Sequence, residues 1–450
     1  MIQMVQHESV ATRNSCRVCA PLGASMAFLG VHGCMPIIHG GQGCSTYIRR
    51  YLIGHFREPV DIASSNFSES SAVFGGGRNL LEALKNVVFQ YKPEILGVST
   101  SCLSETMGED IHGMLTPWRS DPANVPVINV STPSYRGSHR DGFFAAVLAL
   151  VQYGAESPLD AESTHDVNLL PGMVSAADLR HLRDIVESFG LRPMLLPDYS
   201  QTMDDGQWQE WQSLPNGGTT LAEIRSVTHA RATIEFELPL QGNSTAGQWL
   251  ELTHNVSCDT MPLPIGIDAT DHFMGRLEAL SGKPMLARYT QERERLVDSY
   301  VDAHKYASGL RLAVFGEEEW VVALAHLAAE TGMMPLVCAT GGSPERLRRS
   351  LQDLVCSEDI SVIGMSDFED LTELCQERGI QMMVGNSRGY AVARHLGVPL
   401  VRCGFPIQDR MGGPRILHVG YQGTQRLFDE IINTWLQHQQ DTSPVGYKTY

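Results

Sequence analysis

Three cysteines have the residue type and the placement to hold metal: Cys19, Cys44 and Cys102 each fall at a turn where a new element begins. Thiolates are soft ligands, and several of them at the ends of neighbouring parallel strands suit an iron–sulfur cluster. Cys19 precedes Ala20-Pro21-Leu22-Gly23-Ala24, where the proline is compatible with the first turn of a helix. Helix N-termini in turn favour thiolates. Cys44 closes His39-Gly40-Gly41-Gln42-Gly43 and opens a helix whose apolar face includes Tyr47, Ile48, Tyr51 and Leu52. The glycines there let the backbone approach a bulky group. Cys102 follows the apolar run Glu94 to Ser99, at the strand end where open α/β sheets hold their ligands. The next strand ends at Ser131-Thr132-Pro133-Ser134-Tyr135, which brings hydroxyls to an equivalent level.

Taken singly, a cysteine in an α/β core is a small buried hydrophobe. Cys34, Cys258, Cys338, Cys356, Cys375 and Cys403 are read that way. Cys16 and Cys19 form a CxxC, but no second CxxC or Cys/His pair completes a four-ligand zinc site. Nor does the motif follow a strand, as a thioredoxin-like pair would. The glycine-rich turns Gly40-Gly41-Gln42-Gly43 and Gly75-Gly76-Gly77 offer a rival, a phosphate cradle in a nucleotide-binding enzyme. Neither matches GxGxxG or a P-loop ending in Lys-Ser/Thr, and the second reads as a tight strand-to-helix turn.

The elements that must position these residues recur along the chain. Short Val/Ile/Leu-rich runs alternate with amphipathic helical stretches, the pattern of βαβ units with buried parallel strands. Strands are expected at 35–38, 94–99, 125–130, 167–170, 193–196, 311–315, 336–339, 361–363, 381–384 and 399–402. The clearest helix starts at Ser175, with Asp178 at capping-box spacing; Leu179, Leu182, Ile185, Val186 and Phe189 share one face and Gly190 ends it. Thr220 and Glu223 repeat that start signal, while 198–218 reads as a long loop. With 450 residues, 43% of them hydrophobic, the chain can bury several cores. Breaks near 163 and before Gly309 divide it into 1–163, 164–308 and 309–450.

Composition excludes some partners. The net charge of −17, from 34 basic and 51 acidic residues, argues against nucleic acid and anionic membranes, yet an acidic surface can dock a basic protein. No uninterrupted apolar stretch of about 18 residues exists to span a membrane. The N-terminus lacks the basic start and apolar core of a signal peptide, so a cytoplasmic location is expected, and thiols rather than disulfides.

The motifs around the three cysteines carry a family resemblance. Cys19-Ala20-Pro21-Leu22-Gly23-Ala24, then Met35-Pro36, His39-Gly40, Gln42-Gly43-Cys44 and His55-Phe56-Arg57-Glu58-Pro59 resemble the β subunit of nitrogenase and its relatives. Ala72-Val73-Phe74-Gly75-Gly76, Cys102 with Glu105 and Gly108-Glu109-Asp110, and Thr132-Pro133-Ser134 with Gly137-Ser138-His139 follow in order. The likeness continues at Gly385-Asn386-Ser387, Gly404-Phe405-Pro406 with Asp409-Arg410, and Gly420-Tyr421-Gln422-Gly423.

That resemblance implies three Rossmann-like α/β domains, each a parallel sheet flanked by helices, in an oxidoreductase subunit. It implies that Cys19, Cys44 and Cys102 hold half of an [8Fe-7S] P-cluster shared with a homologous α subunit in an α2β2 heterotetramer. Ser134 is implied as a ligand of the oxidised cluster, Tyr47 and Tyr135 as groups on the electron path, and Phe74 as part of the docking patch for an ATP-hydrolysing [4Fe-4S] iron protein. The reactive cofactor would belong to the α subunit, so the substrate is not legible in this chain. Only 18 residues precede Cys19, and the later segments 188–198 and 385–421 resemble the β-like subunit of the cofactor-assembly scaffold. Scaffold subunits, with their simpler [4Fe-4S] cluster, commonly lack the full cysteine set. A full set on such a body resembles the β-type subunit of methylthio-alkane reductase, with a scaffold subunit or a dinitrogen-reducing β subunit as alternatives.

Overall fold

Among the described residues the expected apolar runs and four further short segments form fourteen strands in three sheets, with every pairing parallel. The computed structural model describes residues 3–5, 17–156, 165–208, 210–239, 244–354, 359–364 and 367–446. Cys16, with the CxxC it would complete, and Cys356 lie outside the described residues. By Cα proximity the chain divides into two units, one of 18–183 with 191–260, the other of 1–17, 184–190 and 261–450.

The first unit holds two sheets. In one, β2 (Cys34–His39), β3 (Ala63–Ser64), β4 (Ile95–Thr100) and β5 (Val127–Val130) lie in the order β3-β2-β4-β5. In the other, β6 (Val167–Leu170), β7 (Pro193–Leu195), β8 (Ala232–Glu235) and β9 (Ser257–Thr260) lie in the order β7-β6-β8-β9. Every residue of β2 and β4 is buried, which is why they read as continuous apolar runs rather than alternating ones. The second unit holds β1 (Gln3–Val5), β10 (Arg311–Gly316), β11 (Met334–Thr340), β12 (Ser361–Gly364), β13 (Met382–Gly385) and β14 (Leu400–Arg402), ordered β1-β12-β11-β10-β13-β14.

All ten expected strands are present, with ends shifted by no more than two residues. Four more were not expected: β1, β3, β8 and β9. They are two to four residues long, and β9 is a partly exposed edge with the polar sequence Ser-Cys-Asp-Thr. Cys258 on β9 is therefore half-buried rather than a core thiol, whereas Cys34, Cys338, Cys375 and Cys403 are buried as expected.

The helices of the first unit that bear on the cysteines are α1 (Ala20–Leu29), α2 (Gln42–Phe56), α3 (Glu69–Phe74), α4 (Gly77–Tyr91), α5 (Cys102–Thr106), α6 (Ile111–Arg119) and α7 (His139–Glu156). After them come α8 (Ala176–Ser188) and α9 (Leu221–Arg225). Both expected capping boxes form. The Asp178 N–H donates to Ser175 Oγ at 2.9 Å and the Ser175 N–H to Asp178 Oδ2 at 3.0 Å. Thr220 and Glu223 exchange the same pair of bonds. The glycine turn at 75–77 joins helix α3 to helix α4, not a strand to a helix, because Gly75 at φ +90° breaks the helical path between them.

Helix α1 is held by two close approaches. A Cβ on Gly23 would overlap the His139 carbonyl oxygen, and one on Gly142 would overlap the Ala20 carbonyl oxygen, so α1 and α7 meet backbone to backbone. Below them Gly97 of β4 leaves room for the ring of Phe28, which a Cβ would strike. Cys19, the residue before α1, inherits its position from these contacts.

Candidate metal centre

The three cysteines sit at helix N-termini, in turns that hydrogen bonds draw together at the carboxyl ends of β2, β4 and β5. Cys44 lies in the first turn of α2, after Gly41. Cys102 opens α5, whose N-cap Ser101 forms a capping box with Ser104. The Ser101 N–H donates to the His39 carbonyl at 3.1 Å, and a Cβ on Gly40 would strike Ser101, so the β2 and β4 turns lie side by side. Thr132 then ties β5 to β4: its N–H reaches Thr100 Oγ1 at 2.7 Å and its hydroxyl the Thr100 carbonyl at 2.6 Å. Glu105 accepts from both the Thr100 and the Ser131 hydroxyls at 2.5 Å.

The Cys19 turn is pinned to the loop after β5. The Ala20 N–H donates to Ser134 Oγ at 3.2 Å and the His139 N–H to the Val18 carbonyl at 2.9 Å. Ser134 thus stands at the N-terminus of the helix that Cys19 caps, a juxtaposition of residues more than a hundred positions apart in sequence.

The three turns meet at one end of the β3-β2-β4-β5 sheet, and the charge on one thiol bears on the others. Burial pushes the Cys19 thiol up to about 11; the Leu22 N–H pulls against this, while Cys44 and Cys102 add to the rise. Cys44 is raised by burial first and by Cys102 second. Such mutual repulsion is what thiolates experience when clustered without a cation, and metal ligation removes it by replacing the protons. Among the described residues no three His, Cys, Asp or Glu side chains close round a single metal ion. The donors themselves are thiols, soft ligands of the kind that hold iron–sulfur clusters.

The site is open on one side. Cys19 is partly buried, but Cys44 and Cys102 are exposed. Each has an exposed apolar neighbour: Tyr47 is 67% exposed one turn beyond Cys44, Leu103 is 45% exposed next to Cys102, and Tyr135 is 51% exposed next to Ser134. Phe74 is 86% and Val73 74% exposed. Read from residue type alone, Tyr47 and Phe74 are core aromatics. The structure corrects this, since only Ile48 and Leu52 of the α2 face are buried and Phe74 ends a short helix at the surface. Exposed large apolar groups such as these are the kind found where a protein meets a partner.

In the metal-free chain, iodoacetamide at about pH 8 is expected to modify Cys44 and Cys102 and spare Cys19. The thiolate is the nucleophile, so Cys19 should enter the reaction only as the pH climbs toward its raised value of about 11. Peptide mass spectrometry would read this; Cys19 reacting as fast as the other two would contradict the packing around it.

Sequence reasoning gave no role to several residues that build the site. His39 and Ser65 are buried, the Glu109 side chain is nearly so, and His39 bonds to both of the others. The His39 Nε2–H donates to Glu109 Oε2 at 2.5 Å, and the Ser65 hydroxyl pairs with Nδ1 at 3.0 Å. Burial pushes the His39 pKa down against the pull of Glu109, favouring a neutral ring. His39 and Glu109 lie in motifs already noted, but their separation of 70 residues hides the pairing. The glycine turns find a packing explanation as well, Gly40 against Ser101 and Gly76 against Phe67, which leaves the phosphate-cradle alternative without support.

Comparison with known proteins agrees with this architecture. The family described as "Nitrogenase component 1 type Oxidoreductase" matches residues 19–436. The nitrogenase molybdenum-iron protein beta chain of Clostridium pasteurianum is 34% identical over 94% of this chain and 93% of its own length. The nitrogenase iron-molybdenum cofactor biosynthesis protein NifN of Rippkaea orientalis is 33% identical over 92% of both. A solved structure described as "Nitrogenase Cp1 at pH 6.5" superposes with a TM-score of 0.92 at 32% identity, covering 99% of this chain and 98% of that one. The chain belongs to the nitrogenase component 1 family of oxidoreductases. Within it, the chain is a β-type subunit of an oxidoreductase complex. Because a molybdenum-iron beta chain is matched over nearly its whole length, the short segment before Cys19 does not separate this chain from molybdenum-type relatives. Among the described residues no helix is long and apolar enough to cross a membrane.

Proposed function

We propose that this chain is an electron-relay subunit: Cys19, Cys44 and Cys102 hold its half of an [8Fe-7S] cluster against a homologous α subunit. Electrons from an ATP-hydrolysing [4Fe-4S] iron protein would pass through it to a cofactor in that α subunit. The observation that carries this reading is the set of three mutually interacting thiols, two of them exposed and each flanked by exposed apolar groups or by Ser134. When bound, the cluster supplies reversible one-electron storage. The chain's own residues set its surroundings: the Leu22 N–H donates to the Cys19 carbonyl at 3.1 Å and fixes the turn that carries the sulfur, and burial of the sulfurs tunes such potentials. Tyr47 and Tyr135, exposed beside the ligands, are placed on the electron path, and Phe74 in the iron-protein docking patch.

Ser134 is assigned as a ligand of the oxidised cluster. Ser134→Ala is expected to leave the reduced cluster intact and to change the spectra of its oxidised states. The lost bond to the Ala20 N–H should cost about 1 kcal/mol of stability. No change in any redox form would remove Ser134 from the site.

For the substrate we put first a small thioether, as in methylthio-alkane reductase: two electrons and two protons cleave a carbon–sulfur bond to give a thiol and a hydrocarbon. A complete cysteine set on a body about equally similar to a beta chain and to NifN supports this choice. The NifN match also favours a second reading, the β-like subunit of an assembly scaffold with a [4Fe-4S] cluster and no turnover. The purified complex, given iron protein, ATP and dithionite, should release thiol and hydrocarbon from small thioethers. Reduction of dinitrogen with no action on thioethers would make it a nitrogenase proper, and no turnover of thioethers, acetylene or dinitrogen would favour the scaffold.

A further inference from the structure

A continuous run of hydrogen bonds, buried at its Ser65 end and partly buried at Glu109, joins the exposed Phe74 turn to the Cys44 turn. Gly76, two residues after Phe74, donates its N–H to Glu109 Oε1. The other oxygen, Glu109 Oε2, takes the His39 Nε2–H at 2.5 Å. His39 Nδ1 meets the Ser65 hydroxyl at 3.0 Å, and Ser65 Oγ accepts the Gly40 N–H at 3.0 Å. Gly40 leads through Gly41 into the first turn of α2, where Cys44 lies.

The chemistry of the groups makes this run directional. A carboxylate only accepts, so both Gly76 and His39 must donate to Glu109. A neutral ring donating from Nε2 must accept at Nδ1, which turns the Ser65 hydroxyl toward His39 and leaves its oxygen for Gly40. Each bond thus fixes the polarity of the next, and the side chains of His39, Ser65 and Glu109 are 0%, 2% and 4% exposed, so water cannot readily replace a lost partner. The Phe74 turn, by contrast, presents Val73 and Phe74 almost bare to solvent.

We infer that the His39–Glu109 pair is a strut coupling the Phe74 turn to the Cys44 turn, so that a protein seated on Phe74 shifts the Cys44 thiol. His39 and Glu109 are positioning residues that touch neither donor nor cluster. The identity of that protein as the iron-protein donor rests on the function proposed above; the mechanical coupling does not.

Hydrogen exchange on the full metal-free chain tests the coupling without reference to turnover. Glu109→Gln keeps the shape but offers one acceptor oxygen in place of two, so either the Gly76 or the His39 link is lost. The Gly40 and Gly76 amides should both exchange about tenfold faster. Ser65→Ala touches only the Cys44 end, yet under a strut it should also quicken Gly76; acceleration confined to Gly40 would overturn the inference. If Glu109→Gln does not fold, Ser65→Ala carries the test, and His39→Gln, whose amide can still donate to Glu109, should recover Gly76 protection that His39→Ala loses.

In the cluster-loaded complex, Glu109→Gln should slow electron delivery from the iron protein about tenfold while leaving reduction by dithionite unchanged. Equal loss by both routes, or loss by neither, would overturn the strut. Wild-type complex that holds no iron would instead overturn the proposed function and leave the exchange result standing.

Discussion

Cys102→Ala is expected to abolish cluster assembly and all electron transfer through the complex while the chain still folds. The two effects separate because Cys102 is exposed and opens a short helix whose capping box belongs to Ser101 and Ser104. Alanine is an excellent helix former, so the change in folding free energy should stay within about 0.5 kcal/mol. Ligation is another matter, since alanine supplies no donor atom in place of the thiolate, and Glu105 on the same helix is already engaged by the Thr100 and Ser131 hydroxyls. Iron analysis and turnover of the purified complex, beside a thermal melt, would read both effects. Normal iron content and activity in this variant would refute the ligand assignment.

Gly23→Ala is expected to act in the opposite order, through the fold first and the cluster second. Intrinsic propensity alone favours alanine in a helix interior by about 1 kcal/mol. Packing reverses the sign, because the added methyl would overlap the backbone carbonyl oxygen of His139, which cannot rotate away. Overpacking of a rigid contact costs about 1–3 kcal/mol, and an overlap with backbone belongs at the upper end, so the net expectation after the propensity gain is a loss of up to about 2 kcal/mol. The helices α1 and α7 would part, and with them the Cys19 turn, which Ser134 and His139 hold by hydrogen bonds. Urea unfolding should show the lower midpoint and iron analysis the poorer loading. Gly43→Ala is the control: nothing lies within 4 Å of a Cβ there, so it should be neutral or slightly stabilising. A stabilised Gly23→Ala chain with full iron would contradict the backbone-to-backbone packing.

Legibility in the sequence followed the range of the physical signal. Buried parallel strands such as β4 and β10 announce themselves locally, as short apolar runs between helical stretches. Caps are local as well, which is why Ser175 with Asp178 and Thr220 with Glu223 were readable from spacing. Strand β1 was not, because three residues carry no periodicity and its partner is Ser361–Ile363, far along the chain. The same limit applies to the site. Each cysteine was visible at its turn, but nothing local says that Ser134 accepts the first N–H of the helix after Cys19 or that His39 meets Glu109. Those pairings depend on which strand ends lie side by side, and the sheet order β3-β2-β4-β5 is a tertiary fact. Exposed Tyr47 and Phe74 mislead a residue-type reading for a related reason. Aromatic side chains belong either in a core or under a partner, and one chain's sequence does not distinguish the two.

The measurement that tests the relay most directly is anaerobic co-purification with the α subunit, followed by iron analysis and EPR in dithionite. The relay predicts a dark protein with the iron of one [8Fe-7S] cluster at each α/β contact, whose reduced form is EPR-silent. A colourless, iron-free complex would contradict it, and so would the paramagnetic signal of a reduced [4Fe-4S] cluster at that contact.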